Sequence, residues 1–367
     1  GKWHLTGRLG EPNLPRNQGF DVSLACGAPG SPGTYFYPYR KIKLGPLSGK
    51  DALGLNKKII PDLDQGGRKG EYLTDRITDE TIRFLKRHVQ QHPQQPFFAY
   101  VSHYAVHTPL EAKPELVAKY REKLKHMHYE RPAYVKERWG GTWKQRQDHP
   151  VYAAMIESVD ESLKRIVDTL ESLGVRKNTL IVFTADNGGL SNHGAGNNRE
   201  LATTNYPLRN GKGWCYEGGI REPWIMSWPG HTPAGKVVDT PVVGTDLYPT
   251  FLDVAGLPLR PRDHVDGVSF RPLLEGRDFQ RGKPIFWHSP CARPTSTGDY
   301  NATAVRSGNY KLIEWYDKDL VELFDIAADP GETHNLVQEK PEVAKRLLAM
   351  VHRWRSEIDA LVKKGNV

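Results

Sequence analysis

A long amphipathic helix followed directly by a short apolar segment constrains the fold of this 367-residue chain more than any other feature. Apolar side chains recur at helical spacing along Val151–Leu173, and Gly174 stands where a helix C-cap is expected. The apolar run of residues 179–184 then predicts a buried strand. The same order occurs earlier, with a helix over Asp75–Gln91 and a buried strand over Phe97–Ser102. Two helix–strand units predict an α/β fold with a mainly parallel sheet flanked by helices.

The pattern changes after about residue 280. Short, closely spaced strands predict a small antiparallel sheet over Ile285–His288, Ala304–Arg306, Tyr310–Trp315 and Leu320–Asp325. Ser307-Gly308-Asn309 has the composition of a hairpin turn, and Pro341–Lys363 predicts a closing amphipathic helix. We therefore expect an α/β domain over residues 1–275 and a C-terminal subdomain over residues 276–367.

The remaining segments are less regular. Residues 6–70 predict long ordered loops, and the charged stretch 111–149, which carries Trp139 and Trp143, predicts a peripheral helical excursion or lid. A strand over residues 223–228 and a helix over Asp246–Ala255, ended by Gly256, complete the predicted elements.

Charge and hydropathy exclude two classes of partner. No apolar run approaches the ~18 residues of a membrane span. The net charge is +8, but the basic residues are scattered, without the arginine-rich arm or aromatic register typical of nucleic-acid binding. A small anionic group such as sulfate or phosphate is the favoured partner. The three cysteines, Cys26, Cys215 and Cys291, match no zinc spacing.

Polar residues follow both predicted buried strands. Asp186 and Asn187 come directly after the 179–184 strand and offer oxygen ligands for a hard cation, although Asp-Asn-Gly is also ordinary turn chemistry. His107 follows the 97–102 strand and is either a general acid or a structural histidine. Considered singly, Asp186 and Asn187 are better explained as part of a turn, and His107 as a structural or surface histidine.

Two further segments suit an anionic substrate. The glycine-rich loop Leu208–Gly219 carries Lys212 but lacks the glycine spacing of a Walker A loop. Lys2 and His4 are two residues apart, so on a strand they would face the same side. Because these residues open the sequence, we expect the chain to begin partway through a domain.

In combination these motifs resemble type I sulfatases of the alkaline-phosphatase superfamily. The resemblance is carried in order by Gly1-Lys2-Trp3-His4, Gly19-Phe20-Asp21, His107-Thr108-Pro109, Thr184–Gly188, Leu208–Gly219, Arg221-Glu222-Pro223 and Glu322–Leu336. It implies an alkaline-phosphatase-like fold, hydrolysis of sulfate esters, export from the cytoplasm, a bound Ca²⁺ or Mg²⁺ and a formylglycine nucleophile. A sulfated carbohydrate is the expected substrate.

The resemblance also implies roles for particular residues. Asp186 and Asn187 match two metal ligands, and Lys2 and Lys212 match the lysines that neutralise sulfate.

The histidines match proton-transfer and substrate positions. His4 matches a histidine beside the nucleophile, and His107 matches the acid that protonates the leaving alcohol. His193, in the loop after Asn187, is a candidate substrate contact.

One departure from the family pattern matters. No cysteine of this sequence is followed by x-Pro-Ser-Arg, and two N-terminal aspartate ligands have no equivalent. We therefore expect these 367 residues alone to lack turnover and to be poorly soluble or loosely packed. A phosphoesterase or phosphonate hydrolase of the same superfamily, and a non-catalytic protein that binds sulfated glycans, are the alternative functions.

Overall fold

The computed structural model describes residues 1–6, 11–40, 59–63 and 65–360. The chain forms two compact units: unit 1 comprises Gly1–His128 and Asp148–Lys177, and unit 2 comprises Tyr129–Gln147 and Asn178–Val367. The predicted boundary near residue 275 does not coincide with this division, and it stays a prediction about domain organisation. No described helix is both long enough and apolar enough to cross a membrane.

Unit 1 is built on three helices: α1 Leu73–Gln91, α2 Pro114–Lys125 and α3 Pro150–Ser172. The two helices predicted here are confirmed, with ends within two residues of those expected. Gly174 has φ 71° and donates its backbone N–H to Glu171, so it caps α3 as predicted. Both α1 and α2 pack against α3.

The core of unit 1 is rich in buried tyrosines from the loops. The hydroxyl of Tyr35 donates to the carbonyl of His107 at 2.8 Å, and that of Tyr104 donates to Ala25 at 3.1 Å. Burial raises the pKa of both phenols, which therefore stay neutral donors. The predicted ordered loop is thus confirmed for residues 11–40, whereas residues 41–58 lie outside the described part of the chain.

The predicted buried strand Phe97–Ser102 is wrong. The segment is not a strand, and Phe98 and Tyr100 are 62% and 59% exposed. Ser102 contacts Lys2, whose N–H donates to the Ser102 carbonyl at 2.6 Å. An apolar run predicts burial, but a strand also requires a continuous paired neighbour, which the described residues do not supply here.

Unit 2 contains nine strands and four helices among its described residues. In chain order they are β1 Tyr134–Lys136, β2 Thr142–Lys144, β3 Ile181–Thr184, β4 Asn192–His193, α4 Glu217–Ile220, β5 Trp224–Ser227, α5 Leu247–Val254, α6 Arg271–Leu274, β6 Ile285–Ser289, β7 Ala302–Ser307, β8 Tyr310–Trp315, β9 Leu320–Asp325 and α7 Pro341–Glu357. Short 3₁₀ turns occur at Glu11–Asn13, Pro15–Asn17, Arg176–Asn178, Gly244–Asp246 and Tyr316–Lys318.

Strands β6 to β9 form an antiparallel meander, as predicted. Gly308, with φ 61°, lies in the tight connection between β7 and β8. One set of sheet side chains, which includes Leu312, packs against Leu347 and Val351 of α7. The predicted helix over Pro341–Lys363 ends at Glu357, and residues 361–363 lie outside the described range.

A second set of side chains from this sheet packs against the loop that precedes α4. Ala304, Ile313 and Trp315 form a buried cluster with Trp214 and Tyr216. The sheet therefore supports the segment that follows Lys212.

Two smaller sheets complete unit 2. Strands β3 and β5 pair antiparallel, with Ile181 opposite Ser227, and β3 is half-buried rather than fully buried. Strands β1, β2 and β4 form the other sheet, so the predicted helical excursion over residues 111–149 is right for α2 and wrong for residues 134–144. All strand ladders among the described residues are antiparallel, so the expected parallel pairing is not among them.

Candidate active site

Lys2 and His4 are held by backbone contacts in unit 1. Lys2 exchanges hydrogen bonds with Ser102, whose Oγ donates to the Lys2 carbonyl at 2.6 Å, and His4 N–H donates to Gly27 at 2.9 Å. His4 has φ 58°, in the left-handed region, so the strand alternation predicted for Lys2 and His4 is wrong. The ring of His4 lies against Gly30, where an added Cβ would come within 2.5 Å of Cε1.

His107 lies in a turn that packs on the same set of segments. Its N–H donates to the carbonyl of Tyr104 at 3.0 Å, and the Tyr104 hydroxyl bonds to Ala25. The Nδ1 atom of His107 is 3.0 Å from the Thr108 carbonyl oxygen and 3.3 Å from the Thr108 hydroxyl, so it donates to the first or accepts from the second according to its tautomer. The segments that bear Lys2, His4 and His107 are therefore tied together through residues 25–27 and 102–104.

His103 is a half-buried histidine with a buried Nδ1 atom, and the motifs assigned it no role. Its Nε2 lies 3.0 Å from Ser162 Oγ, and its Nδ1 has no hydrogen-bond partner. Burial lowers the pKa of His103 to about 4. His103 is therefore a neutral packing residue near neutral pH.

Asp186 and Asn187 lie in the turn directly after β3 in unit 2. Asp186 is exposed, and the Asn187 side-chain amide donates to the carbonyl of Gly188 at 3.0 Å. Gly188 packs against the next loop, where an added Cβ would lie 1.8 Å from the carbonyl oxygen of Gly218. The turn is therefore fixed by backbone packing, with the Asp186 carboxylate facing solvent.

Glu222 is a neighbour of Asp186 that the motif reasoning left without a role. One of its carboxylate oxygens is buried and has no hydrogen-bond partner. Burial, and then the negative charge of Asp186, raises the pKa of Glu222 to about 7. The position was visible in the sequence as Arg221-Glu222-Pro223, but its proximity to Asp186 was not.

The loop carrying Lys212 packs directly on the Asp186 turn. The N–H of Lys212 donates to Gly189 at 3.2 Å, and that of Gly188 donates to Gly219 at 3.2 Å. An added Cβ at Gly211 would lie 2.3 Å from the Gly189 carbonyl oxygen. The glycines of this loop therefore serve close backbone packing, which brings the Lys212 and Asp186 turns together.

A buried charge cluster fixes the far end of this loop. Lys311 on β8 is fully buried, and its Nζ lies 2.9 Å from both Glu217 Oε1 and Glu332 Oε1. The contact with Glu332 is a close ion pair without hydrogen-bond geometry, whereas Glu217 accepts a bond from Nζ. Glu332 Oε2 also accepts the backbone N–H of Glu217 at 2.6 Å.

The two carboxylates of this cluster have different pKa shifts. Although burial disfavours its charge, the Lys311 ammonium lowers the pKa of Glu217. Burial outweighs the same ammonium at Glu332 and raises the pKa of that carboxyl to about 7. One ammonium cannot fully stabilise two buried negative charges, so Glu332 is the carboxyl that takes up a proton first.

His193 lies on β4 at the edge of a cavity in unit 2. The Nδ1 atom is 3.0 Å from the carbonyl of Gly194, and the ring is half-buried. Its strand pairs with β2, with Thr142 opposite His193. Whether His193 contacts a substrate stays a prediction.

The predicted site residues divide between the two units. Unit 1 contains Lys2, His4 and His107. Unit 2 contains Asp186, Asn187, His193 and Lys212. Within the described ranges, no group of three or more His, Cys, Asp or Glu side chains is arranged to hold a metal ion. The assigned roles therefore stay predictions.

The chain is similar to known sulfatases over most of its length. The sequence profile of the Sulfatase family matches residues 1–257, and that of the N-sulphoglucosamine sulphohydrolase C-terminal region matches residues 210–357. Identity to the N-acetylgalactosamine-6-sulfatase of Homo sapiens is 30% over 358 residues, covering 92% of this chain and 56% of the relative. Identity to a sulfatase of Formosa agariphila is 29% over 312 residues, covering 81% and 51%. The chain thus spans about half the length of these curated relatives.

The fold is also shared with solved structures. The crystal structure of Ps i-CgsB matches with a TM-score of 0.70 and 28% identity, covering 96% of this chain and 70% of that one. The predicted α/β, alkaline-phosphatase-like fold class is confirmed by this likeness together with the small antiparallel sheet and closing helix. Since the Sulfatase profile also matches well over half of the residues, the chain belongs to the sulfatase family.

Proposed function

We propose that this chain serves the hydrolysis of sulfate esters of carbohydrates. The observation that supports the proposal is the backbone packing of the Lys212 loop on the Asp186–Asn187 turn, two adjacent segments whose side chains include an ammonium, a carboxylate and an amide. The names of relatives support the substrate class. One relative is an N-acetylgalactosamine-6-sulfatase, and Ps i-CgsB has been crystallised with k-i-k-neocarrahexaose.

The cationic side chains suit a sulfate group. A sulfate ester is an anion, and its negative charge spreads over the sulfuryl oxygens as the S–O bond breaks. We assign Lys2 and Lys212 to stabilise that charge, because fixed ammonium groups need no reorganisation during the reaction. Neutralising either lysine should therefore reduce the rate more than the affinity.

The histidines supply proton transfer in this proposal. The leaving alcohol oxygen gains negative charge as the S–O bond breaks, and we assign His107 to protonate it. We assign His4 as the base for release of sulfate. A positioned imidazole typically contributes about 10²–10⁴-fold to such a step.

A hard cation fits the Asp186–Asn187 turn. The turn offers an exposed carboxylate and an amide, and the neighbouring Glu222 leaves a buried carboxylate oxygen without a hydrogen-bond partner. Oxygen donors of this kind suit Ca²⁺, or Mg²⁺. Such an ion would neutralise negative charge on the bound sulfate group. We propose Asp186 and Asn187 as two of its ligands.

The cysteines do not fit a formylglycine. Cys26, Cys215 and Cys291 are followed by Gly, Tyr and Ala, and none begins a Cys-x-Pro-Ser-Arg motif. Cys215 is buried, and burial raises the pKa of its thiol to about 12. We therefore expect turnover only from a polypeptide that supplies the nucleophile from residues other than these 367.

The test compares two esters of one alcohol. The complete polypeptide in which residues 1–367 occur is assayed on 4-nitrophenyl sulfate, on 4-nitrophenyl phosphate and on a galactan oligosaccharide bearing 6-O-sulfate. We expect sulfate release, strongly reduced by Lys212→Met and unaffected by the exposed control Lys345→Met. Faster cleavage of the phosphate ester would show a phosphoesterase. Salt-sensitive retention on a sulfated polysaccharide column without turnover would show a non-catalytic binding protein.

We also propose that the protein acts outside the cytoplasm, as the family resemblance implies. Cell fractionation with an activity assay tests this. Activity confined to the cytoplasmic fraction would contradict it.

A further inference from the structure

A cavity of about 310 Å³ lies within unit 2, beside the loop that carries Lys212. Its walls include the rings of Trp139, Trp214 and Tyr300 and the polar side chains of Glu137, His193 and Thr295. Trp214 follows Lys212 by two residues, so their Cα atoms are at most about 7 Å apart. The cavity therefore adjoins the loop to which we assign sulfate binding.

The aromatic wall is rigid. Trp139 stacks on Trp214 with ring centroids 5.3 Å apart and an interplanar angle of 8°, and Tyr300 meets Trp139 edge-on at 4.8 Å. The Trp214 indole N–H donates to the Thr297 carbonyl at 2.8 Å. The guanidinium of Arg138 lies 4.4 Å from the Trp139 centroid and is held by Glu322. The rings are fixed by these contacts before any ligand binds.

Three segments of backbone close the cavity, and glycines allow them to touch. An added Cβ at Gly141 would lie 2.4 Å from the His193 carbonyl oxygen, and one at Gly194 would lie 1.5 Å from that of Pro294. Gly194 N–H donates to Thr295 at 3.2 Å. The cavity is thus a built feature of segments 137–141, 192–195 and 294–300.

The polar groups of the cavity suit hydroxyls. Glu137 is 92% buried, since its relative exposure is 8%; one of its oxygens accepts the Trp139 backbone N–H at 2.9 Å, and Arg209 lies 3.7 Å from the other. In the neutral ring of His193 the Nδ1 proton is directed at Gly194, so Nε2 is the acceptor. Carboxylate and imidazole acceptors, with the Thr295 hydroxyl, match a ligand that carries several O–H donors.

Charge decides which sugar fits. Among the described residues that line the cavity, Glu137 is the acidic one and none is a lysine or arginine, while the Arg209 guanidinium behind the lining lies 3.7 Å from Glu137 and is paired with it. The charge of Arg209 is therefore already matched by Glu137, and the lining offers a sulfate group a carboxylate but no lysine or arginine. Trp214 is buried between Trp139 and Tyr216, so the apolar C–H groups of a hexopyranose without sulfate would meet the half-buried rings of Trp139 and Tyr300, and its hydroxyls would meet Glu137 and His193.

We propose that this cavity binds a neutral hexopyranose unit of the glycan, next to the sulfated unit held by Lys212. The inference rests on the proposed function for the identity of the neighbouring sugar. The binding site itself stands on the geometry of unit 2.

Saturation-transfer NMR tests the proposal on the complete polypeptide. The probes are methyl β-D-galactopyranoside and its 6-O-sulfate. We expect weak binding of the neutral glycoside, reduced about tenfold or more, or ~1.4 kcal/mol, by Ala195→Trp, which fills the cavity mouth. Thr295→Arg is a second blocking variant, and Ala328→Trp is a matched control at another exposed alanine of unit 2. Near-ultraviolet circular dichroism checks that each variant is folded.

The outcomes separate the two proposals. Loss of the neutral glycoside signal in both folded blocking variants, with the signal kept in Ala328→Trp, supports the cavity. No signal from the neutral glycoside in the wild type, or an undiminished signal in the blocking variants, overturns it. If the neutral glycoside binds in the cavity but no sulfate ester is hydrolysed, the proposed function fails and the sugar site remains.

Discussion

Replacing Lys311 by methionine tests the role of the buried charge cluster. Lys311 is fully buried, with its ammonium 2.9 Å from both Glu217 and Glu332. Methionine has a similar length and no charge, so the substitution removes the cation from Glu332 and leaves Glu217 only the guanidinium groups of Arg221 and Arg306, at 3.9 and 4.0 Å. Removing one partner of a buried ion pair typically costs about 3–5 kcal/mol. We expect Lys311→Met to lower the free energy of unfolding by about 4 kcal/mol at pH 8.

The loss of unfolding free energy in Lys311→Met should depend on pH, and the direction of that dependence follows from the carboxyl pKa values. Without the ammonium, the pKa of Glu332 rises further above its unfolded value, and the pKa of Glu217 rises from its lowered value, because burial and mutual repulsion are then less opposed. A carboxyl with a raised folded pKa binds protons more tightly in the folded state, so stability falls as pH rises through that range. Glu332, whose pKa is raised to about 7 even in the wild type, should dominate this effect. The deficit of Lys311→Met is therefore expected to be smaller at pH 5 than at pH 8.

Urea unfolding of the complete polypeptide, followed by tryptophan fluorescence, measures this effect. Trp214 and Trp315 lie in the cluster beside the charged groups, so their emission reports on this part of unit 2. Lys345→Met, at an exposed position of α7, is the matched control and should leave stability unchanged. Adding Glu332→Gln to Lys311→Met should recover part of the loss. A loss below about 1 kcal/mol at pH 8, the scale of an exposed pair, would refute the reasoning.

Three further predictions concern other parts of the chain. Gly188→Ala should lower the free energy of unfolding by about 2 kcal/mol or more, because the added Cβ would meet the backbone of Gly218. The control Gly282→Ala, where the added Cβ has open space, should leave stability unchanged. Equal melting temperatures of the two variants in thermal melts would contradict the packing argument. The free energy of unfolding should rise with pH between about 4 and 6.5, by up to about 3 kcal/mol, because burial lowers the pKa of His103 in the folded state. A pH series of urea melts should show this slope in the wild type. An equal slope in His103→Gln would show that another group causes the pH dependence. Asp186→Asn should weaken Ca²⁺ binding about tenfold or more in calorimetry, and unchanged affinity would remove Asp186 from the metal site.

Local patterns predicted most of the regular elements. The helix over Val151–Leu173 was placed within one residue at each end, because apolar spacing and the Gly174 cap both act within a few residues. Strands β8 and β9 were placed with their observed ends for the same reason. The strand over Phe97–Ser102 failed because strand formation depends on a distant partner, which an apolar run does not reveal.

The candidate site was predictable as a set of motifs but not as a geometry. The order of the motifs identified the family, while the left-handed conformation of His4 contradicted the assumed alternation with Lys2. Lys311 was not recognised as a partner of Glu217 because 94 residues separate them. A buried pair of that separation leaves no periodic pattern in the sequence.

The segment Trp214–Tyr216 has a consequence for how variation in this protein should be interpreted. It packs on the C-terminal sheet and continues directly from Lys212, so the lysine to which we assign sulfate binding and a buried aromatic cluster are held by the same stretch of chain. We expect that destabilising the sheet, even by removing one methyl group at Ile313, would displace Lys212. Inherited or engineered changes that abolish activity should therefore concentrate in the C-terminal strands as well as in the motif residues. Selection for catalytic rate and selection for thermodynamic stability would act on many of the same positions.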